Sequence, residues 1–245
     1  MKHVILGNGT AGVIAAETLR KNAPADDIIL IGDEAEPPYS RGAIPHLIAG
    51  EITEAGTWLR RNTDYFARLR IEQRTGRAVH LSTRTRTLKM EDGSVIAFDR
   101  LLIATGASPR PPAFHGMDLP GVHACWTLDD ARRIMERAMP RARVVLIGAG
   151  FIGCIVMEAL AARGVQLTVI ERRERMLPSL LSDGAGRIVQ KWCERKGIKV
   201  RTGTRVLAIG GDAGGPRVVR MANGEHLQAD LVVHCAGTRP NIDFL

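Results

Sequence analysis

The chain has 245 residues, with a formal net charge of +8 and 26 glycines, enough for two medium domains with cores of their own. No run approaches the 18 or more consecutive apolar residues of a membrane helix, and a strand starting at Lys2 leaves no room for a leader peptide, so a cytoplasmic protein is expected. The basic residues are scattered rather than gathered in a stripe, and aromatic residues are only 4%, which argues against nucleic acid as a partner.

In chain order, Val4–Leu6 reads as a short buried strand. Gly7, Gly9 and Gly12 follow at GxGxxG spacing, Val13–Arg20 as a helix, Ile28–Ile31 as a second strand, and Asp33 just beyond it. Strand, glycine turn, helix, strand and acid is the order of a dinucleotide-binding unit. Pro37 and Pro38 interrupt the chain, and Tyr39, Ser40 and Arg41 open a short helical run to Ala49. The Arg41 guanidinium has the chemistry to stack on or bond to a flat conjugated ring, and equally to meet pyrophosphate or solvent. Trp58–Leu69 is expected as a charged amphipathic helix. Ile71–Gln73, Ala78–Leu81, Thr87–Met90 and Val95–Phe98 read as strands, the last two joined across Asp92-Gly93 as a hairpin. Leu101–Ala104 is an apolar strand ending in Thr105 and Gly106, and Pro109–Pro112 should stop regular structure and link two domains.

The second half repeats the first. Gly121–Ala124 is expected as an edge strand and Asp129–Met139 as a helix, with Asp129 and Asp130 suited to its amino terminus. Val144–Ile147 leads into Gly148, Gly150 and Gly153, then helix 152–163, strand Val165–Ile170 and Glu171. A helix over 187–196, short strands at 198–201 and 205–209, a glycine loop at 210–215 and a hairpin around Asn223-Gly224 follow. Leu231–Ala236 is a closing strand ending at Gly237, and Thr238–Asn241 starts a loop. Two complete dinucleotide units in one chain point to electron transfer between two bound dinucleotides. Cys125, Cys154, Cys193 and Cys235 form no CxxC pair, and no histidine stands at metal-ligand spacing to a cysteine, so neither a dithiol centre nor a metal site is expected.

The two glycine motifs, PPYSRG, LLIATGASPR and CAGTRPN together resemble the pyridine nucleotide-disulfide oxidoreductase superfamily, most of all the branch of rubredoxin and ferredoxin reductases and the flavin part of NADH-dependent nitrite reductase. The resemblance covers Lys2 to Leu245. It implies an α/β fold with two Rossmann-like domains of the three-layer ββα type carrying antiparallel meander insertions. Residues 1–113 would begin an FAD-binding domain, 114–229 form an NAD(P)H-binding domain, and 230–245 return to the first.

The resemblance further implies that Gly7, Gly9, Thr10, Ala11 and Gly12 bind FAD pyrophosphate, with Asp33 on its ribose and Ala78 and Val79 at the adenine. Arg41, Ala104, Thr105, Gly106 and Arg110 would lie toward the rest of the flavin nucleotide. Gly148, Gly150, Phe151, Ile152 and Gly153 would hold NADH with Glu171 on its ribose, and Gly237 would mark the return between domains. NADH is expected over NADPH, because a carboxylate repels a 2′-phosphate, although Arg172 and Arg173 follow at once. No side-chain acid or base is required as a catalytic residue. A small redox protein, a ferredoxin or rubredoxin, would accept the electrons, and the full-length protein would be a homo-oligomer.

Three departures from the family pattern stand out. Arg41 occupies the place of the redox cysteine that relatives with peroxidase, oxidase or coenzyme A-disulfide activity carry, and Ile155 that of a nicotinamide-orienting glutamate, with Glu158 one turn further. Relatives also continue past the point matching Leu245, which makes the sequence look truncated. An inactive nucleotide-binding or regulatory protein of the same fold is the alternative reading.

Overall fold

The structure is a computed structural model that describes residues 1–212 and 214–245; Ala213, inside the expected glycine loop, lies outside the described residues. The chain divides into two compact units. The first comprises Met1–Arg41, Glu54–Ser108 and Arg239–Leu245, and the second Gly42–Thr53 and Pro109–Thr238.

In the first unit, β1 (Lys2–Leu6), α1 (Thr10–Asn22) and β2 (Asp27–Gly32) form the expected glycine-turn unit. Helix α2 (Ile44–Ala49) belongs to the second unit. The first unit continues through α3 (Tyr65–Arg68), β3 (Ile71–Thr75), the meander β4 (Ala78–Ser82), β5 (Thr87–Met90) and β6 (Val95–Ala97), then β7 (Arg100–Ile103). The main sheet is parallel, in the order β3-β2-β1-β7. Successive strand residues point to opposite faces, and here both faces are apolar. Val4, Leu6, Ile29 and Ile31 pack against Leu88, Met90 and Ile96 of the meander. Ile5, Ile28 and Leu30 pack against Val13 and Ala16 of α1. Meander, sheet and helix are therefore three layers with two cores. Arg20, 9% exposed, closes the helix side by donating to the carbonyls of Pro24, Asp26, Leu69 and Arg70.

After β8 (Ala107–Pro109), the second unit runs through β9 (Val122–Ala124), α4 (Leu128–Arg137), β10 (Arg143–Ile147), α5 (Phe151–Ala162), β11 (Gln166–Ile170), α6 (Asp183–Arg195) and β12 (Lys199–Arg201). The meander β13 (Val206–Gly210), β14 (Arg217–Met221), β15 (His226–Ala229) and strand β16 (Leu231–His234) follow, then β17 (Thr238–Pro240). Its parallel sheet has the order β12-β11-β10-β16-β9. The order repeats that of the first unit with one strand added, β9, at the expected edge. Val145, Ile147, Ile170 and Val232 again pack under the meander. A capping box starts α4: the Asp130 amide donates to Thr127 Oγ1, and the Thr127 amide to the Asp130 carboxylate.

Three expectations are corrected. The stretch from Trp58 to Leu69 is not one helix; only Tyr65–Arg68 is helical. Its beginning is extended, because the Leu59 amide donates to Pro38 O and the Ser40 amide to Thr57 O, so those backbone groups are spent on pairing with the 38–40 stretch. The two compact units meet at 108/109 and 238/239. Leu231–His234, expected to re-enter the first unit, is the strand beside β10, with Val144 opposite Leu231. Thr238–Pro240 is a strand rather than a loop and pairs with Ala107–Pro109.

Candidate nucleotide-binding sites

The three glycines of each motif have different physical reasons to be glycine. In the first unit, a Cβ on Gly7 would stand 2.1 Å from Ala104 O, and one on Gly12 1.8 Å from Gly7 O. Both positions are demanded by the protein's own packing. Gly9 is different: its φ is −71°, which any residue adopts, and a Cβ there would meet nothing within 4 Å. The second unit repeats the division. A Cβ on Gly148 would stand 2.6 Å from Cys235 O and one on Gly153 2.1 Å from Gly148 O, while one on Gly150 would meet nothing. Gly9 and Gly150 are the N-caps of α1 and α5, and neither helix has a side-chain cap. Each unit thus presents an uncapped helix amino terminus behind a glycine that folding does not need. The free N–H groups and the positive end of the helix dipole suit a phosphate, so the residues present fit a dinucleotide.

Around the first turn, Gly9, Thr10 and Ala11 are exposed. Beside them a cavity of about 230 Å³ is lined by Gly7, Asp33, Arg77, Ala78, Val79 and Thr105, with Ser108, Asn241 and Phe244 among the others. The structure therefore brings five of the expected residues, Gly7, Asp33, Ala78, Val79 and Thr105, to one cavity. Its wall is fixed by Asn241. Thr105 Oγ1 donates to Asn241 O at 2.7 Å, Asn241 Nδ2 to Thr105 O at 2.9 Å, and Ser108 Oγ to Asn241 Oδ1 at 2.7 Å. Phe244, 7% exposed, belongs to the meander-side core. Arg77, Asn241 and Phe244 were not assigned from sequence, although Arg77 stands next to Ala78 and Asn241 ends the CAGTRPN segment.

Ala104 contributes its backbone, its amide donating to Leu6 O at 2.7 Å. Gly106 has φ +66° and its carbonyl accepts from the Asn241 amide. Arg41 does not line the cavity. It pairs with Glu34 and donates to Tyr39 Oη at 3.2 Å, its guanidinium 5.6 Å from the Tyr39 ring centre, while Tyr39 Oη donates to Glu34 at 2.6 Å.

In the second unit, Glu171 is 7% exposed and holds the glycine turn. Its carboxylate accepts from the Ala149 amide at 2.8 Å and from the Arg173 amide at 2.9 Å. Ala149 O accepts from the Leu177 amide at 2.8 Å, and Leu177 sits at φ +50°, a conformation non-glycine residues seldom adopt. The turn is pinned from both sides by the 171–177 segment. Phe151 is 64% and Ile155 38% exposed on the first turns of α5, Ile152 is half-buried and Glu158 is exposed. Gly237 and Arg110 meet through the Arg110 amide, which donates to Gly237 O at 2.9 Å.

The four cysteines are free. Burial pushes the Cys235 thiol up to about 12 and the Cys154 thiol to about 11, with Cys125 raised further for the same reason. Among the described residues no group of three or more histidine, cysteine or acidic side chains is placed to hold a metal, and no helix is long and apolar enough to cross a membrane.

Each copy of the duplicated α/β unit carries a glycine turn that leads into a helix without a side-chain cap. The chain belongs to the pyridine nucleotide-disulphide oxidoreductase family, whose model matches residues 1–245. It is 30% identical over 245 residues to the NADH-dependent phenylglyoxylate dehydrogenase subunit epsilon of Aromatoleum evansii, covering 100% of this chain and 58% of the relative. It is 32% identical to the ferredoxin reductase component of chlorobenzene dioxygenase from Cupriavidus sp. (strain PS12), covering 96% of this chain and 57% of the relative. A crystal structure of the covalent putidaredoxin reductase–putidaredoxin complex superimposes with a TM-score of 0.93 at 27% identity, over 99% of this chain and 60% of that one. The chain thus spans under three-fifths of the length of these curated relatives.

Proposed function

We propose that the protein is an FAD-dependent NAD(P)H oxidoreductase that takes a hydride from NADH onto FAD and passes electrons to an external acceptor. The observation that carries this reading is the pair of helix amino termini, each left uncapped behind an open middle glycine. Bound FAD would supply a two-electron acceptor able to release electrons singly.

The chain's own residues bind and orient. Gly9, Thr10 and Ala11 would receive the FAD pyrophosphate on the α1 amides, with Gly7 and Gly12 holding the turn. Asp33 would accept from the ribose hydroxyls, and the Ala78 and Val79 backbone would edge the adenine, in the cavity that these residues share. Thr105 and Gly106, locked by Asn241, would keep that wall closed to water. Arg41, fixed by Glu34 and Tyr39, would offer a positioned guanidinium to the flavin. Gly148, Gly150, Phe151, Ile152 and Gly153 would hold the pyridine nucleotide, with Glu171 toward its ribose. No side chain need move a proton in hydride transfer, in keeping with thiols held protonated by burial.

The acceptor proposed is a small redox protein. The relatives include a ferredoxin reductase component and a reductase bound to putidaredoxin, and a net charge of +8 favours encounter with an acidic partner. Ile155 supports a second reading, a nucleotide-binding protein without turnover, since an apolar side chain there cannot bond a nicotinamide amide. The test of cofactor binding is titration of the protein with FAD, followed by flavin fluorescence. Saturable quenching at one FAD per chain is expected. No quenching at micromolar concentrations would overturn the flavoprotein reading.

A further inference from the structure

Helix α6 carries apolar residues on both of its faces. A surface helix buries one apolar stripe and turns charge outward, and the inner stripe here is Gly186, Val189 and Cys193, at three- and four-residue spacing. A Cβ on Gly186 would stand 2.9 Å from Met176 O, so the helix lies tight against the 175–176 backbone and its rotation is fixed. The opposite side should then be polar throughout. Instead it holds Ile188, 68% exposed, and one turn on Trp192, 49% exposed. No large apolar side chain among the described residues is more exposed than Ile188, and Leu180, just before the helix, is exposed as well.

Cations surround this pair. Arg187, Lys191, Arg195 and Lys196 are all exposed, and helical spacing sets Lys191 and Arg195 beside Ile188, with Arg187 and Lys196 on the flanks. Lys196 Nζ stands 5.8 Å from the Trp192 ring centre. The two acids of α6 are engaged: Asp183 pairs with Arg175, and Glu194 accepts from Gln190 Nε2 at 3.0 Å. None of the four cations has an ion-pair partner among the described residues. Basic residues that read as scattered along the sequence are here gathered, four on one helix, around its exposed apolar pair.

Size and sign decide what such a face fits. The 13 residues of α6 make a helix about 20 Å long, and its outward side falls far short of the about 20–30 residues a side of a stable protein interface. A second copy would bring the same cations against themselves. An anionic bilayer needs neither a large area nor fixed acidic partners: cations meet lipid phosphates wherever they fall, and tryptophan and isoleucine enter the interfacial layer. We infer that the outward face of α6 is a docking surface for an anionic lipid bilayer, with Ile188 and Trp192 inserted and Arg187, Lys191, Arg195 and Lys196 on lipid phosphates. The attachment is peripheral, and a patch this small gives weak, reversible and salt-sensitive binding. It does not depend on which nucleotide either unit binds.

Flotation with vesicles tests the site. The protein is mixed with vesicles of phosphatidylcholine alone, or of phosphatidylcholine with about one-third phosphatidylglycerol, at low and at high salt. The wild type should float with the anionic vesicles at low salt, and stay behind with neutral vesicles or at high salt. Arg187→Gln/Lys191→Gln/Arg195→Gln and, separately, Ile188→Gln/Trp192→Gln should each weaken binding by about tenfold or more. Arg84→Gln/Arg86→Gln/Lys89→Gln removes as many exposed cations from the first unit and should bind within about twofold of the wild type. An equal loss in that control would overturn the site, since net charge alone would then account for the binding. A wild type that ignores anionic vesicles would also overturn it and leave the face to a protein partner. An oligomer that sedimentation shows to dissociate in Ile188→Gln/Trp192→Gln would assign the face to a second copy instead. Circular dichroism guards against misfolding, and every substituted side chain is exposed.

Discussion

Alanine at the middle glycine of each motif should separate binding from folding. At Gly9 and Gly150 the backbone is in an ordinary conformation and the added methyl meets no protein atom within 4 Å. Stability should therefore hold, or rise by about 0.4–1 kcal/mol as the unfolded chain loses freedom. The same methyl stands in front of the amides that would face a pyrophosphate. Losing one or two bonds to a charged group, at about 1.5–3 kcal/mol each, makes roughly 3 kcal/mol, or on the order of 100-fold in affinity. Gly9→Ala should lose FAD, and Gly150→Ala should lose ADP measured in saturating FAD. Alanine at Gly12 is the control: its Cβ would stand 1.8 Å from Gly7 O, so helix and turn must part, costing about 3 kcal/mol. Urea denaturation and flavin fluorescence on the same samples read the two quantities. Gly9→Ala with unchanged stability and unchanged FAD affinity would refute the reasoning, because the open glycine would then have no ligand to explain it.

Other consequences follow from single side chains. Arg20→Met should destabilise the first unit by about 2–4 kcal/mol, because four carbonyls lose their shared donor; urea unfolding followed by circular dichroism measures it, and a loss under about 0.5 kcal/mol would contradict the clamp. The Arg143 guanidinium holds the Asp230 carboxyl below the usual carboxylate range. A depressed carboxyl stabilises above its unfolded value, near pH 4, and that contribution is lost as pH falls through the folded value. The wild type should exceed Asp230→Asn by under about 1 kcal/mol at pH 7, since the pair is part-exposed, and the gap should close as pH falls through the lowered folded value. All four thiols are raised by burial, so the native protein at pH 8 should react with a disulfide reagent far more slowly than the urea-unfolded chain; rapid labelling of all four in the native state would contradict it.

What was legible in the sequence was what a local pattern determines. The glycine spacings, the apolar runs before them and the acids after them fix both turn units, because a strand, a tight turn and a helix leave no other use for Gly7, Gly12, Gly148 and Gly153. Asp92-Gly93 marks its hairpin for the same reason, Gly93 sitting at φ +85°. Long-range pairing was not legible. Trp58–Leu69 has a helical pattern, yet Pro38 and Ser40 take its first backbone groups. Leu231–His234 reads as a closing strand in either unit, and only the register against β10 assigns it. In the site, Asp33 and Glu171 are both acids after a second strand, but one lines a cavity and the other is spent on its own turn. No spacing rule distinguishes them. Asn241 joins Thr105 from 136 residues away, a contact that appears only once the chain has returned to the first unit.

The most direct test of the two-dinucleotide account is the visible spectrum of the FAD-loaded protein during anaerobic addition of NADH. The account predicts that the oxidised flavin band bleaches near one equivalent of NADH. A flavin that binds but stays oxidised under excess NADH and NADPH would contradict the reductase reading and leave a nucleotide-binding protein without turnover.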